Sequence, residues 1–291
     1  MIDERSIQAL IALMDDPDEG VFTHVRDKLM EVGPDAIPYL ESSWEERDLG
    51  LLFQSRIEQI IHDIQFESVK HDLLKWYSSS EKSLIQGALI IARYQYPSLD
   101  EKKIEQFMDR IERDCWLEIN ENMTAFEKVK VLNKIFFGTY GFSGNAKNYN
   151  SPLNSYLNTV IESKKGNPLS LSILYSLVAQ KLGMPIYGVN LPNHFVLAYM
   201  DENQTNPFVS NANEYGVLFY INCFSKGSIF HQDDIIQFLS SIQQRPQPFH
   251  FQPCSNSDII RRMLTNLVAA FQQVGNSEKV DELLELRAIL D

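Results

Sequence analysis

The sequence predicts a mainly helical α+β protein, on three observations. Apolar residues recur at helical spacing through roughly the first 115 positions. Three short β-type runs are bunched between Pro185 and Cys223, as one small antiparallel sheet would require. Helical spacing then returns from Ile259 to Leu290. A chain of 291 residues suits about two domains of ordinary size. At 44 % hydrophobic and 22 % charged, it can build a true core.

The first helix carries Ile7, Leu10, Ile11 and Met14 on one side, and the second carries Val21, Phe22, Val25, Leu29 and Met30. Between them, Asp15-Asp16-Pro17-Asp18 breaks the chain and supplies acidic residues suited to a helix N-terminus. Gly33-Pro34 closes the second helix, and Ala36-Ile37-Pro38-Tyr39-Leu40 opens a third. The layout from Leu10 to Trp44 resembles a HEAT-type repeat, with a plain helical bundle as the alternative. The apolar pairs Ile37/Leu40, Val69/Leu73 and Ile104/Phe107 recur at a helix-pair period. A helical front region is therefore expected over residues 1–118.

Ala125 to Phe137 predicts a further helix with Val129, Leu132, Ile135 and Phe136 on one face. Residues 138–152 are rich in turn formers, and helical pattern resumes over Ser155–Glu162. Asn167-Pro168 then marks a helix start: Asn caps, and Pro at the first position lacks only an N–H that would have no partner. Leu171, Leu174, Tyr175, Val178 and Leu182 carry that helix to Gly183, and Pro185 forbids its continuation. Ile186–Val189, His194–Tyr199 and Val217–Cys223 read as strands, with Pro192-Asn193 as a turn and 201–215 as a polar loop. Asp233–Leu239 is helical in pattern. The stretch from Pro246 to Pro253 reads as a linker, followed by two helices broken at Gly275-Asn276. This last pair, 255–291, resembles one tetratricopeptide-like unit, which must dock on other structure because one unit cannot form a solenoid. The middle domain is expected over 119–245.

Charge narrows the function. With 39 acidic against 26 basic side chains the net charge is −13, which disfavours nucleic acid and anionic membrane surfaces as partners. Lys164-Lys165 and Arg261-Arg262 are among the longest basic runs, and they are only pairs. The start Met1-Ile2-Asp3-Glu4-Arg5 is acidic where a leader would be basic, and no apolar run reaches the roughly 18–20 residues that span a bilayer. Cys115, Cys223 and Cys254 are widely spaced without CxxC pairing, which reads as reduced thiols in a cytoplasmic protein rather than a disulfide frame or zinc site.

The order helix, strand, strand is one in which cysteine acyl-transfer chemistry can be built. A thiol at the helix N-terminus gains thiolate character, a histidine on one strand takes the proton, and a carboxylate or amide on the next orients the imidazole. The helix starts at Pro168, His194 opens a strand, and Asn222 lies late in the following one. Four runs then carry a specific likeness: Tyr149–Asn158, Lys164-Lys165-Gly166-Asn167-Pro168-Leu169-Ser170-Leu171-Ser172, Leu182–Val189 and Leu191-Pro192-Asn193-His194-Phe195. Over roughly Ala125 to Leu239 the chain resembles the SirB family of transglutaminase-like proteins. The likeness implies a transglutaminase-like core, often followed by a tetratricopeptide-like hairpin.

The resemblance places His194 at the catalytic histidine position and Asn222-Cys223-Phe224 where the related pattern has Asp before Pro-Phe. The nucleophile position falls near Pro168 to Ser170, and no cysteine lies there. Ser170 and Ser172 are the replacement candidates, yet a helix dipole cannot ionise an alcohol, so either would depend on His194. Cys223 neighbours Asn222 on a strand and so faces the other way. His231-Gln232-Asp233-Asp234 reads as an acidic first helical turn rather than a metal site. Asn154, Tyr156, Asn158 and Asn167 either line a cleft with His194 or satisfy loop backbone. The expectation is a module without cofactor or metal that binds a protein or peptide. A Ser-His-Asn hydrolase and a scaffold with a vestigial site are the alternatives.

Overall fold

The computed structural model describes residues 4–46, 50–201 and 212–291. It is mostly helical with small sheets, the α+β class expected from the sequence, and divides into two compact units between Lys75 and Trp76. Most of the polar loop expected over 201–215 lies outside the described residues.

The first unit contains α1 (Glu4–Ala12), α2 (Glu19–Val32), α3 (Ile37–Glu46) and most of α4 (Leu51–Ser78). Ile7, Ile11, Met14, Val25, Leu29 and Leu40 form its core with Phe53, Ile57 and Ile60 of α4. The Asp15–Asp18 turn is held from both sides. Asp18 caps α2 by accepting the Gly20 N–H at 2.7 Å. Arg56, only 4 % exposed, donates to the carbonyls of Met14 at 2.7 Å and Asp16 at 2.8 Å and pairs with Glu19 at 2.7 Å. A buried guanidinium thus takes up two carbonyls at the point where Pro17 separates α1 and α2.

The second unit begins with α5 (Leu84–Gln95), α6 (Glu101–Trp116) and α7 (Ala125–Asn133), the last running into a π-helical turn over Lys134–Thr139. Next come β1 (Ser143–Gly144), α8 (Leu157–Ser163), β2 (Lys165–Gly166) and α9 (Pro168–Lys181). A four-stranded antiparallel meander follows: β3 (Ile186–Leu191), β4 (His194–Met200), β5 (Val217–Asn222) and β6 (Ser228–Phe230). Helices α10 (Gln232–Ser241), α11 (Asn256–Val274) and α12 (Ser277–Ala288) complete it.

Helix α9 is the axis of this unit. Pro168 through Ser176 are all buried, which explains a helix with no polar face in the sequence. It packs on β3 and β4, and also touches α5, α6, α8 and α11. Strand β4 is enclosed on both faces, so Phe195 to Tyr199 form a continuous apolar run instead of alternating. Val196 and Ala198 face Ile235 and Leu239 of α10 on the side away from α9.

Three expectations change. The boundary at residue 118 moves, because α5 and α6 pack on α8 and α9 and lie within the second unit. The 255–291 hairpin is likewise part of that unit, with α11 against α5 and α9. The stretch from Pro246 to Pro253 is no loose linker: Tyr220 donates its hydroxyl to the Phe251 carbonyl at 2.9 Å, and the Cys254 N–H reaches Gly188 at 2.8 Å. Strand β6 escaped the sequence reading because only three residues follow the Lys226-Gly227 turn, too few for a period to register.

Candidate functional site

His194 owes its place to a two-residue hairpin. Leu191 pairs directly with His194, leaving Pro192 and Asn193 as the loop. Pro192 fixes a negative φ and Asn193 takes φ +53°, the requirements of a type II turn. The histidine therefore opens β4 at the end of the sheet, where its ring is half-buried yet reachable.

Across from it, the start of α9 is built from reciprocal caps. Asn167 accepts the Ser170 N–H at 2.8 Å, and Ser170 Oγ accepts the Asn167 N–H at 3.1 Å. Ser170 Oγ also donates to the Asn154 carbonyl at 2.6 Å, and Asn167 Nδ2 donates to Ser155 Oγ at 3.0 Å. Gly166 allows this close approach, since a Cβ there would stand 2.7 Å from Ser170 Oγ. The Lys-Gly-Asn-Pro run is thus a device for docking the loop before α8 on the first turn of α9. Asn154 fixes that loop in turn, donating to the carbonyls of Asn148 at 2.7 Å and Tyr149 at 2.9 Å.

A cleft of about 370 Å³ lies between this turn, the 149–155 loop, the β3–β4 hairpin and α11. Pro168, Leu169 and Asn167 line one wall, Asn193 and His194 another, and Arg262 and Asn266 a third. His194 also borders a second hollow of about 410 Å³ with Asn222, Phe230, Asp234 and Phe238. The imidazole and the Asn222 side chain line that hollow as neighbours, so the structure does bring these two candidates together. Burial holds the His194 pKa below its ordinary value, the neighbouring Asn222 amide opposes that, and the Arg262 charge adds to it. Asn222 also accepts the Ser225 N–H at 3.2 Å, which steadies the amide.

The remaining candidates separate cleanly. Ser170 is 1 % exposed, Ser172 is fully buried, and neither lines the cleft. The Ser172 hydroxyl lies against the Cys223 thiol without a well-formed hydrogen bond. Cys223 is buried away from both hollows, and burial pushes its thiol up to about 12, which removes it as a nucleophile. Of the four cleft candidates, Asn167 lines the cleft, Asn154 and Tyr156 are buried and do not line it, and Asn158 borders a different hollow beside Tyr96 and Phe107. His231 caps α10, with Asp234 accepting its N–H at 2.8 Å. Among the described residues, no helix is long and apolar enough to cross a membrane.

Arg262 is the cleft residue that pattern did not single out. Adjacent residues on a helix point about 100° apart, so the Arg261-Arg262 pair divides its work. Arg261 pairs with Asp258 at 2.7 Å. Arg262 turns to the sheet, donating to Asn190 Oδ1 at 2.8 Å and the Leu191 carbonyl at 3.2 Å. The only early signal was its position, four residues before Asn266 on a helix otherwise apolar toward the core.

Comparison with known proteins agrees with this architecture. A UPF0162 protein of Xylella fastidiosa is 38 % identical over 114 residues, covering 39 % of this chain and 41 % of that protein. A UPF0162 protein of Vibrio cholerae is 25 % identical over 190 residues, 64 % of this chain and 66 % of the relative. F-box only protein 21 of Mus musculus is 28 % identical over 157 residues, 53 % of this chain and 23 % of the mouse protein. The chain thus spans less than half the length of the Xylella and mouse relatives. No solved structure matches it. The family model described as the transglutaminase-like superfamily matches residues 102–265, over half of the chain, including α9, the four-stranded sheet and the first half of α11, and the chain belongs to that superfamily.

Proposed function

We propose that this chain is a binding member of the superfamily, one that holds a segment of protein or peptide in the cleft beside His194 and performs no acyl transfer. The observation that carries this reading is the fate of the helix N-terminus. No described residue lining the cleft offers a thiol, and the hydroxyl in the first turn of α9, that of Ser170, is buried and committed to the Asn154 carbonyl. Of the serines that do line the cleft, Ser155 is buried and accepts from Asn167 Nδ2, and Ser151 stands on the loop, away from the helix start. A serine nucleophile must instead hand its proton to a histidine. His194 and Asn222 remain neighbours, but with nothing at the third position to activate. The finer assignment to the SirB family belongs to the same reading, as do a HEAT-like front and a tetratricopeptide-like hairpin. Gly275 at φ +74° between α11 and α12 supports the hairpin.

The test has two arms. Intact-mass analysis after treatment with a fluorophosphonate probe should show no stoichiometric adduct. A pool of acetylated tetrapeptides should shift the NMR signals of the His194 ring. An adduct on Ser170 or Ser172 that vanishes in His194→Ala would overturn the reading in favour of a Ser-His-Asn hydrolase.

A further inference from the structure

The charge of the cleft runs against the charge of the chain. The protein carries a net −13, yet none of the described residues lining the cleft is acidic. Arg262 is among them, and its guanidinium is met only by neutral acceptors: Asn190 Oδ1, the Leu191 carbonyl and, from Nε, Asn266 Oδ1 at 3.3 Å. No carboxylate pairs with it among the described residues, whereas its neighbour Arg261 has Asp258. An arginine held through Nε and Nη1 by fixed neutral acceptors, with Nη2 given no partner among the described residues and no counter-charge beside it, is a site waiting for an anion. Around it stand the amide residues Asn150, Asn193, Asn266 and Gln273, with Leu169 and Ala269 as apolar surface.

We propose that the cleft binds a peptide through a carboxylate, which Arg262 receives while the surrounding amides take the adjoining peptide groups. This rests on the binding reading above and names its ligand class. A carboxylate fits better than a phosphate, because one guanidinium matches one negative charge and the second basic group, His194, stays neutral near pH 7 under burial. The volume of about 370 Å³ admits one or two residues, at the lower end of small-ligand sites. Amide side chains serve backbone N–H and C=O groups equally well.

The experiment uses the full chain and three pools of acetylated tetrapeptides, followed by the His194 ring signals. The first pool lacks Asp and Glu and ends in a free carboxylate. The second is the same pool as C-terminal amides. The third is amidated but carries one Glu. The first or the third should bind at least tenfold more tightly than the second, and which of them does so identifies the terminal or the side-chain carboxylate. Arg262→Gln should reduce binding to the level of the amides. Because Arg262 also ties α11 to β3, Asn266→Asp provides a second variant: it keeps the bond from Nε, supplies the missing counter-charge, and should abolish the preference in a folded protein. Equal binding of all three pools, or a preference unchanged by both variants, would overturn the carboxylate proposal while leaving peptide binding intact. Absence of any shift with every pool would overturn both.

Discussion

Replacing Ser170 by Ala separates a structural hydroxyl from a catalytic one. In the native protein that oxygen donates to the Asn154 carbonyl at 2.6 Å and accepts the Asn167 N–H at 3.1 Å, with all three residues buried. Alanine removes both bonds and admits no water to replace them. A buried backbone group left without a partner costs about 1–3 kcal/mol. The two groups here are not wholly orphaned, because the Asn167 N–H also approaches the Asn154 carbonyl at 3.4 Å. That residual contact places the sum near the lower end, about 2–3 kcal/mol, within which the lost cap of α9 is already counted. For a unit of this size each kcal/mol lowers Tm by about 2–4 °C, so a fall of about 4–12 °C is expected. Thermal unfolding followed by circular dichroism measures it, with Ser172→Ala as the comparison. Ser172 has no hydrogen bond to lose, and its variant should shift far less. A Ser170→Ala protein that melts within 1 °C of the parent would refute the account of Ser170 as the clasp between the loop and α9.

Four further outcomes follow from the same geometry. Gly166→Ala should destabilise by about 1–3 kcal/mol in urea unfolding, since its Cβ would press on a Ser170 hydroxyl that two bonds hold in place; a neutral result would mean the first turn of α9 is looser than drawn. For His194, the folded pKa lies below the unfolded value of about 6.5, so the unfolded chain binds more protons in that window. Stability should therefore hold above about pH 6.5 and decline as pH falls from there through the folded pKa, a decline that His194→Gln should flatten. NMR titration of the ring should move lower in Asn222→Ala and higher in Arg262→Gln, because the amide favours the cation and the guanidinium opposes it; shifts of the reverse sign would break that assignment. Tyr156→Phe should raise Tm by a few degrees, since its hydroxyl is buried without a partner among the described residues. A fall in Tm would point to a bound water that the phenol needs.

How much of this was legible depends on the range of the interaction. The start of α9 at Pro168, the hairpin at Pro192-Asn193 and the break at Gly275 all rest on single residues whose backbone restrictions act locally, so the sequence displays them. That His194 and Asn222 lie near each other was readable through motif order, because the strand sequence fixes which residues stand at the sheet's end. By contrast, the boundary near Lys75 was hidden inside α4, whose 28 residues keep helical spacing while changing the surface they pack on. Periodicity reports that a face is buried and is silent about what buries it.

The cleft candidates expose the same limit at the scale of one side chain. Asn154 and Asn167 share a residue type and a polar neighbourhood, yet Asn154 spends its amide on the carbonyls of Asn148 and Tyr149, whereas Asn167 both caps α9 and borders the cleft. Nothing local distinguishes them, since the difference lies in which loop returns to meet them. Arg262 was harder still, for its significance is a missing partner. A sequence states that an arginine is present, and the absence of a counter-charge emerges only once α11 has docked against β3 and left Asn190, Leu191 and Asn266 as its neighbours. That docking also explains why the hairpin belongs to this unit. It supplies one wall of the cleft and, among the described lining residues, the one arginine or lysine, so a transglutaminase-like framework without a thiol at its helix N-terminus still presents a cation in its cleft.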